Sequence, residues 1–147
     1  MSTLQFKIVT PAGITYSDDN VDQVTIPTTT GEITILPNHI PLVSILMPGE
    51  LVIKKGGQTI ALAVGGGMVE VRPHNEVYIL ADAAERAEHI DVDAAEAARA
   101  RAEKLMQEQK DMADVDFAKL QAVVDRELAR SRVGRKYRKL PPTSNPS

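Results

Sequence analysis

Hydrophobic positions alternate with polar ones in the first part of the chain and recur every three or four residues in the second, which predicts two modules of different secondary structure. In residues 4–9, Leu4, Phe6 and Ile8 alternate with Gln5 and Lys7, the period of a strand with one buried face. Pro11-Ala12-Gly13 breaks that strand. Val24 and Ile26 precede Pro27, and Ile33 and Ile35 alternate before Pro37. Residues 51–53 follow Pro48-Gly49, and Ile60, Leu62 and Val64 alternate before three successive glycines. Val69 and Val71 precede Pro73, and Val77 and Ile79 mark the last strand. Short strands punctuated by Gly and Pro, with no helix-length connection between them, predict a mainly β flattened sandwich or barrel over residues 1–86 and not a parallel α/β sheet.

Beyond residue 86 the period changes. Ala95, Ala98, Ala102 and Leu105 form a narrow apolar stripe on a helix expected over residues 92–109, capped by Asp91 or Asp93. The polar residues 110–114 read as a turn. A second helix, starting after Asp114 or Asp116, presents Phe117, Leu120, Val124 and Leu128 on one face. The two make an antiparallel α-helical hairpin over residues 87–140. Its alanine seam buries little area, so the hairpin is expected to be weakly stable unless it packs on the sandwich or on a partner. Residues 141–147, with Pro141, Pro142 and Pro146 among Thr, Ser and Asn, read as a disordered tail.

Composition narrows the chemistry. With no Trp and two Phe, the core relies on aliphatic packing. The absence of Cys removes disulfides, thiolate nucleophiles and Cys-ligated zinc. No apolar stretch approaches the ~20 residues of a membrane-spanning helix, and the start lacks the pattern of a signal peptide. The net charge of −3 conceals a gradient: residues 126–147 carry seven Lys/Arg against one Asp/Glu, following an acidic body. A basic end of this kind meets nucleic acid, anionic lipid or an acidic protein surface, and Coulomb attraction alone does not choose.

No catalytic constellation emerges. His39, His74 and His89 are dozens of residues apart or lack ligand spacing, so no metal site is expected. Gly65-Gly66-Gly67 is followed by Met68-Val69, with neither Lys-Ser/Thr nor a helical pattern, and reads as a tight bend or bulge between strands, where a side chain would clash, and not a phosphate loop. There is no GxSxG elbow, and the carboxylates fall largely on a solvated helical face. A binding or regulatory protein is expected. The segment GEITILPNHIPL at residues 31–42 stands out, because its prolines fix the backbone and remove ladder donors while Asn38 and His39 present polar groups from a rigid turn. It reads either as a structural corner or as a docking edge.

Several runs, in this order and spacing, resemble the ε subunits of bacterial F-type ATP synthases, equivalent to the chloroplast ε and mitochondrial δ subunits. They are F-x-I-x-T-P-x-G at 6–13, PTTTGEITILPNHIPLVSIL at 27–46, GGGMVEV at 65–71, VYILAD at 77–82, AERAEHID at 84–91 and DVDFA at 114–118. The resemblance implies about ten strands followed by a helical hairpin, in a noncatalytic rotor subunit that joins the γ subunit to the membrane c-ring and in many bacteria restrains ATP hydrolysis. It also implies a peripheral location on the cytoplasmic face of the bacterial plasma membrane, with the membrane reached only through complex partners. By position, Glu32, Pro37, Asn38, His39 and Pro41 fall in the loops near the c-ring and γ. The basic C-terminal helix would reach a catalytic β subunit, with Arg126, Arg130, Arg132, Arg135, Lys136, Arg138 and Lys139 supplying charge and Arg132, Arg135, Lys136 and Arg138 as the inhibitory contact; a solvated basic helix end is the simpler alternative. Some relatives bind regulatory ATP through I/L-D-x-x-R-A and arginines of the second helix. Here Glu85, Ile90, Asp91, Arg126 and Arg130 correspond, but Ala94 stands where the motif has Arg. No cofactor is required, and weak regulatory ATP binding stays open. The competing class is a nucleic-acid-binding adaptor using the basic C-terminus, which has only Tyr137 nearby for base stacking.

Overall fold

The computed structural model describes residues 2–109 and 111–138. Ten strands come first: β1 (Leu4–Thr10), β2 (Gly13–Val21), β3 (Gln23–Thr28), β4 (Gly31–Ile35), β5 (Leu42–Leu46), β6 (Gly49–Lys55), β7 (Gln58–Val64), β8 (Gly67–Arg72), β9 (Glu76–Ala81) and β10 (Ala84–Arg86). A single 3-10 turn, Ala87–His89, leads to helices α1 (Val92–Glu108) and α2 (Asp114–Lys136). The strands form one sheet in the order β10-β7-β6-β3-β5-β8-β9-β1-β2, with β4 paired to β3. The sheet curls until β2 meets the end of β6: Asp22 N–H donates to the Lys54 carbonyl at 2.9 Å, and Lys55 Nζ lies 2.5 Å from Asp18. This is the flattened sandwich or barrel that the period-two pattern predicts, near closure. Its pairs are antiparallel except β1 with β9, whose parallel pairing is allowed by the long stretch of chain between them.

Alternation decides which side chains enter. Leu4, Phe6 and Ile8 of β1, Val24 and Ile26 of β3, Leu51 and Ile53 of β6, Val69 and Val71 of β8, and Val77 and Ile79 of β9 all lie in one buried cluster. Each contributes roughly 1.5–3 kcal/mol of transfer free energy. Phe6 is the only buried aromatic ring among the described residues and tilts against Tyr16. Three strands lack a clear sequence signature. β2 carries an unbroken polar run at 17–20, β5 sits between prolines, and β10 is three residues long. Gly13, at φ 111°, starts β2 directly after the break at Pro11. The triple glycine serves a close strand approach: a Cβ on Gly67 would lie 1.8 Å from the Leu80 carbonyl oxygen, and β8, not a helix, follows.

The helices pack as an antiparallel hairpin, since Gly134 and Ser131 near the end of α2 meet Val92 and Glu96 at the start of α1. Asp91, not Asp93, caps α1, accepting from Ala94 N–H at 3.0 Å. α2 begins at Asp114 itself without a side-chain cap, so the expected start after Asp114 or Asp116 is corrected. Both aspartates lie in its first turn, where the helix dipole favours negative charge. The expected stripe on α2 also changes. Val124 is buried, but Phe117 is 47% exposed, and the buried positions are Val124, Glu127, Ala129, Ser131, Val133 and Gly134. The physical reason is where α2 lies: its second half covers β7, burying Ala61 and Ala63 with Ala87, Val133, Ile90 and Tyr137 in a small second cluster. Small residues and satisfied polar groups, not large apolar ones, make that seam. Lys139 and the expected disordered tail at 141–147 lie outside the described residues, as does the end of the hairpin module.

Candidate functional site

The Pro37–Pro41 turn joins β4 to β5 and is held from outside itself. Asn38 occupies the left-handed region at φ 69° and donates its N–H to Asn75 Oδ1 at 2.6 Å. Asn75, at φ 63° in the β8–β9 turn beside His74 at φ 68°, accepts through its carbonyl from Gln5 N–H at 2.8 Å. Asn and His tolerate this conformation better than most side chains, and three such residues at one end of the sandwich define a rigid platform. Within the turn, His39 N–H donates to the Leu36 carbonyl, and His39 Nδ1 lies 2.6 Å from the Ile40 carbonyl oxygen, so Nδ1 carries a proton. Leu36 and Ile40 are left exposed, Ile40 by 74%. Glu32 is not part of this platform. It pairs with Pro27 at the opposite end of β4, about 13 Å away at the rise of a strand.

A second surface escaped the sequence reading because β5 did. Register places Ile45 opposite Met68, Met68 opposite Leu80 and Leu80 opposite Val9, a row crossing β5, β8, β9 and β1 on the outer face. Val43 is 63% and Ile45 59% exposed, and Met47, Met68 and Leu80 extend the patch. The apolar residues were visible in the run LVSILM at 42–47, but only Ser44 in it is polar, so no period-two pattern marked an outer face.

The proposed nucleotide residues divide between two places. Glu85 of β10 with Arg126 and Arg130 of α2 lines a cavity of about 280 Å³, walled by Ala63, Val64 and Ala84. Arg130 Nε donates to Glu85 at 2.8 Å and its Nη1 to Glu127 at 2.7 Å. Burial alone would lower the Arg130 guanidinium, but these hydrogen bonds outweigh it and hold the group above its ordinary value. Ile90 and Asp91 lie elsewhere, beside Gly134 and Tyr137, where Ile90 packs and Asp91 caps α1. Glu127 was missed, since a lone acid among arginines reads as a surface charge.

The basic residues expected to form one contact surface are also divided. Arg135 pairs with Glu96 of α1, and Lys136 Nζ donates to Glu50 of β6 at 2.9 Å. Tyr137 donates its hydroxyl to the same Glu50 at 2.5 Å, and burial together with that carboxylate pushes its pKa up. Arg132 and Arg138 are exposed. No described helix is long and apolar enough to cross a membrane.

A small β-sandwich with a rigid platform, an apolar outer row and a docked helical hairpin has the form of an adaptor subunit. Comparison with known proteins gives the family. Residues 3–87 match the family described as ATP synthase, Delta/Epsilon chain, beta-sandwich domain, and residues 88–134 match its long alpha-helix domain. The ATP synthase epsilon chain of Halalkalibacterium halodurans is 49% identical over 117 residues, 80% of this chain and 86% of the relative. That of Bacillus licheniformis is 44% identical over 135 residues, 92% of this chain and 100% of the relative. Chains in two solved assemblies share the fold. One is in the Euglena gracilis mitochondrial ATP synthase, OSCP/F1/c-ring, with TM-score 0.70 and 20% identity over 88% of this chain and 79% of that one. The other is in the Tetrahymena thermophila mitochondrial ATP synthase central stalk/c-ring, with TM-score 0.58 and 16% identity over 92% and 96%. The chain belongs to the ATP synthase delta/epsilon family, as an F-type epsilon subunit. Nothing in these likenesses supports the nucleic-acid alternative.

Proposed function

We propose that the chain is a noncatalytic subunit of the central stalk of F1, joining the γ subunit to the c-ring on the cytoplasmic face of a bacterial plasma membrane. The observation that carries this is the exposed apolar row over β5, β8 and β9 on a sandwich whose end bears the clamped Pro37–Pro41 turn. The row offers γ a flat apolar surface, of the kind rare on a monomer without a partner. The turn offers polar c-ring loops a preorganised contact, which lowers the ordering cost of binding. The sandwich transmits torque as a rigid body while the hairpin, held by a small-residue seam, is free to change position. Released from the sandwich, α2 would carry Arg132, Arg135, Lys136 and Arg138 toward a catalytic β subunit and restrain hydrolysis. Arg126 and Arg130 would receive the phosphates of a weakly bound regulatory ATP, with Glu85 beside them accepting from a donor group of the nucleotide and Ala94 withholding a further guanidinium.

Reconstitution with γ and the c-ring tests the reading. Ile45→Lys should weaken retention of γ, and His39→Glu should weaken attachment of F1 to membranes, each with the sandwich still folded. Full retention in both variants under moderate salt would remove these surfaces from the interface. For the nucleotide, calorimetry of Ala94→Arg should detect ATP binding stronger than in the unaltered chain.

A further inference from the structure

The cavity beneath α2 already contains an anion, and that anion belongs to the protein. Glu127 is 5% exposed, one of the most deeply buried ionisable residues described. Its carboxylate accepts from Arg130 Nη1 at 2.7 Å and lies 3.4 Å from Arg126 Nε, while Arg130 Nε donates to Glu85 at 2.8 Å. Two guanidinium groups thus face two carboxylates and the cluster is neutral as a whole. The cavity wall is mostly apolar, and the turn before β8 presses close, with Arg126 Cδ 3.7 Å from where a Cβ of Gly65 would stand. A buried carboxylate persists only when it is paired and hydrogen-bonded, and here Arg130 supplies the hydrogen bond and Arg126 a second positive charge.

We infer that Glu127 is an internal counter-anion, which occupies the arginine pair in place of a phosphate, keeps the hairpin docked without bound nucleotide, and holds down the affinity of this cavity for polyphosphates. The inference rests on the nucleotide cavity proposed above. Three features of Glu127 fit the role. It is on the same helix as both arginines, so it competes at an effective concentration that a free ligand does not reach. It neutralises the one strong cation pair in the cavity, leaving no net positive potential to attract phosphate oxygens. It also holds Arg130, whose Nε makes the bond to Glu85 of β10 that ties α2 to the sandwich whether or not a ligand is present. Relief of this competition needs no change of backbone, only removal of one negative charge.

Calorimetry on the full chain, with ATP and with inorganic tripolyphosphate as separate probes, tests this. Glu127→Gln keeps the shape of the side chain and leaves the cluster with a net positive charge; it should tighten tripolyphosphate and ATP at least tenfold relative to the unaltered chain. Adding Arg126→Ala and Arg130→Ala to that variant should abolish the gain. Tightening of tripolyphosphate alone supports the counter-anion and removes the nucleotide reading. Should Glu127→Gln release the hairpin, its circular-dichroism helix signal would melt earlier, and recovery of that melt by tripolyphosphate supports the inference as well. Unchanged affinity for both probes with no such recovery overturns it, and does so independently of the nucleotide reading if Ala94→Arg binds ATP.

Discussion

Gly134 is where the hairpin closes most tightly, and adding one methyl group there sets two energies of opposite sign against each other. A Cβ at this position would lie 2.7 Å from Val92 Cγ2 and 2.9 Å from Ile90 Cγ2. Favourable carbon contacts lie at about 3.5–4.0 Å. In an exposed helix, Gly→Ala stabilises by about 0.8–1.0 kcal/mol, whereas forcing a methyl into a packed seam costs about 1–3 kcal/mol. The neighbours yield little: both are β-branched, Val92 is buried, and the Asp91 cap fixes the start of α1 beside them. If α2 stays helical when undocked, the propensity gain is common to both states and only the steric term bears on docking. Gly134→Ala should therefore weaken docking by about 1 kcal/mol, roughly fivefold in the docked-to-undocked ratio. Hydrogen exchange of α1 amides reads this local opening directly. Protection in α1 should fall about fivefold while that of the sandwich core is unchanged. Protection that rises would show helix propensity to be dominant and refute the steric reasoning.

Three further outcomes follow from the geometry. Asn75→Ala removes the acceptor of Asn38 N–H and places Ala at positive φ, so amide exchange at Asn38 should accelerate and F1 attachment weaken; Asn75→Gly, which relieves the strain but not the lost acceptor, should recover only part. Glu50→Gln leaves Lys136 without its carboxylate and weakens the Tyr137 bond, so exchange at the last turn of α2 should rise before that at Val124; protection unchanged at Tyr137 would show the contact to be idle. For Asp18, burial alone would raise the carboxyl, but the Lys55 and Asn20 hydrogen bonds outweigh it and hold the group below its ordinary value of 3.8. The stabilisation is complete above that value and lost as pH falls through the lowered one, so Asp18→Asn should make the acid limb of the urea-midpoint profile shallower, and an identical limb would exclude the pair as a contributor.

The period-two pattern of Leu4, Phe6 and Ile8, and of its counterparts in β3, β4, β7, β8 and β9, determined a mainly β module, because one-sided burial forces alternation whatever the pairing. The three-and-four spacing from Ala95 determined α1, and the triple glycine, lacking Lys-Ser/Thr, already read as a bend or bulge between strands where a side chain would clash. The left-handed turn at Asn38 was legible as a rigid corner from its prolines alone. What stayed hidden depends on neighbours distant in the chain. β2 is polar because it is an edge, and its membership in the sheet is fixed by β1 rather than by its own residues. The apolar row of Ile45, Met68 and Leu80 exists only once three strands share a register. The face of α2 that packs is chosen by β7, which buries Val133, and by the start of α1, which buries Ser131 and Gly134, and Phe117 is left exposed. Glu127 shows the difference most sharply: in sequence it is one acid in a basic helix, and only docking on β10 turns it into a buried anion clamped by two arginines, because burial and partner distances are properties of the tertiary fold.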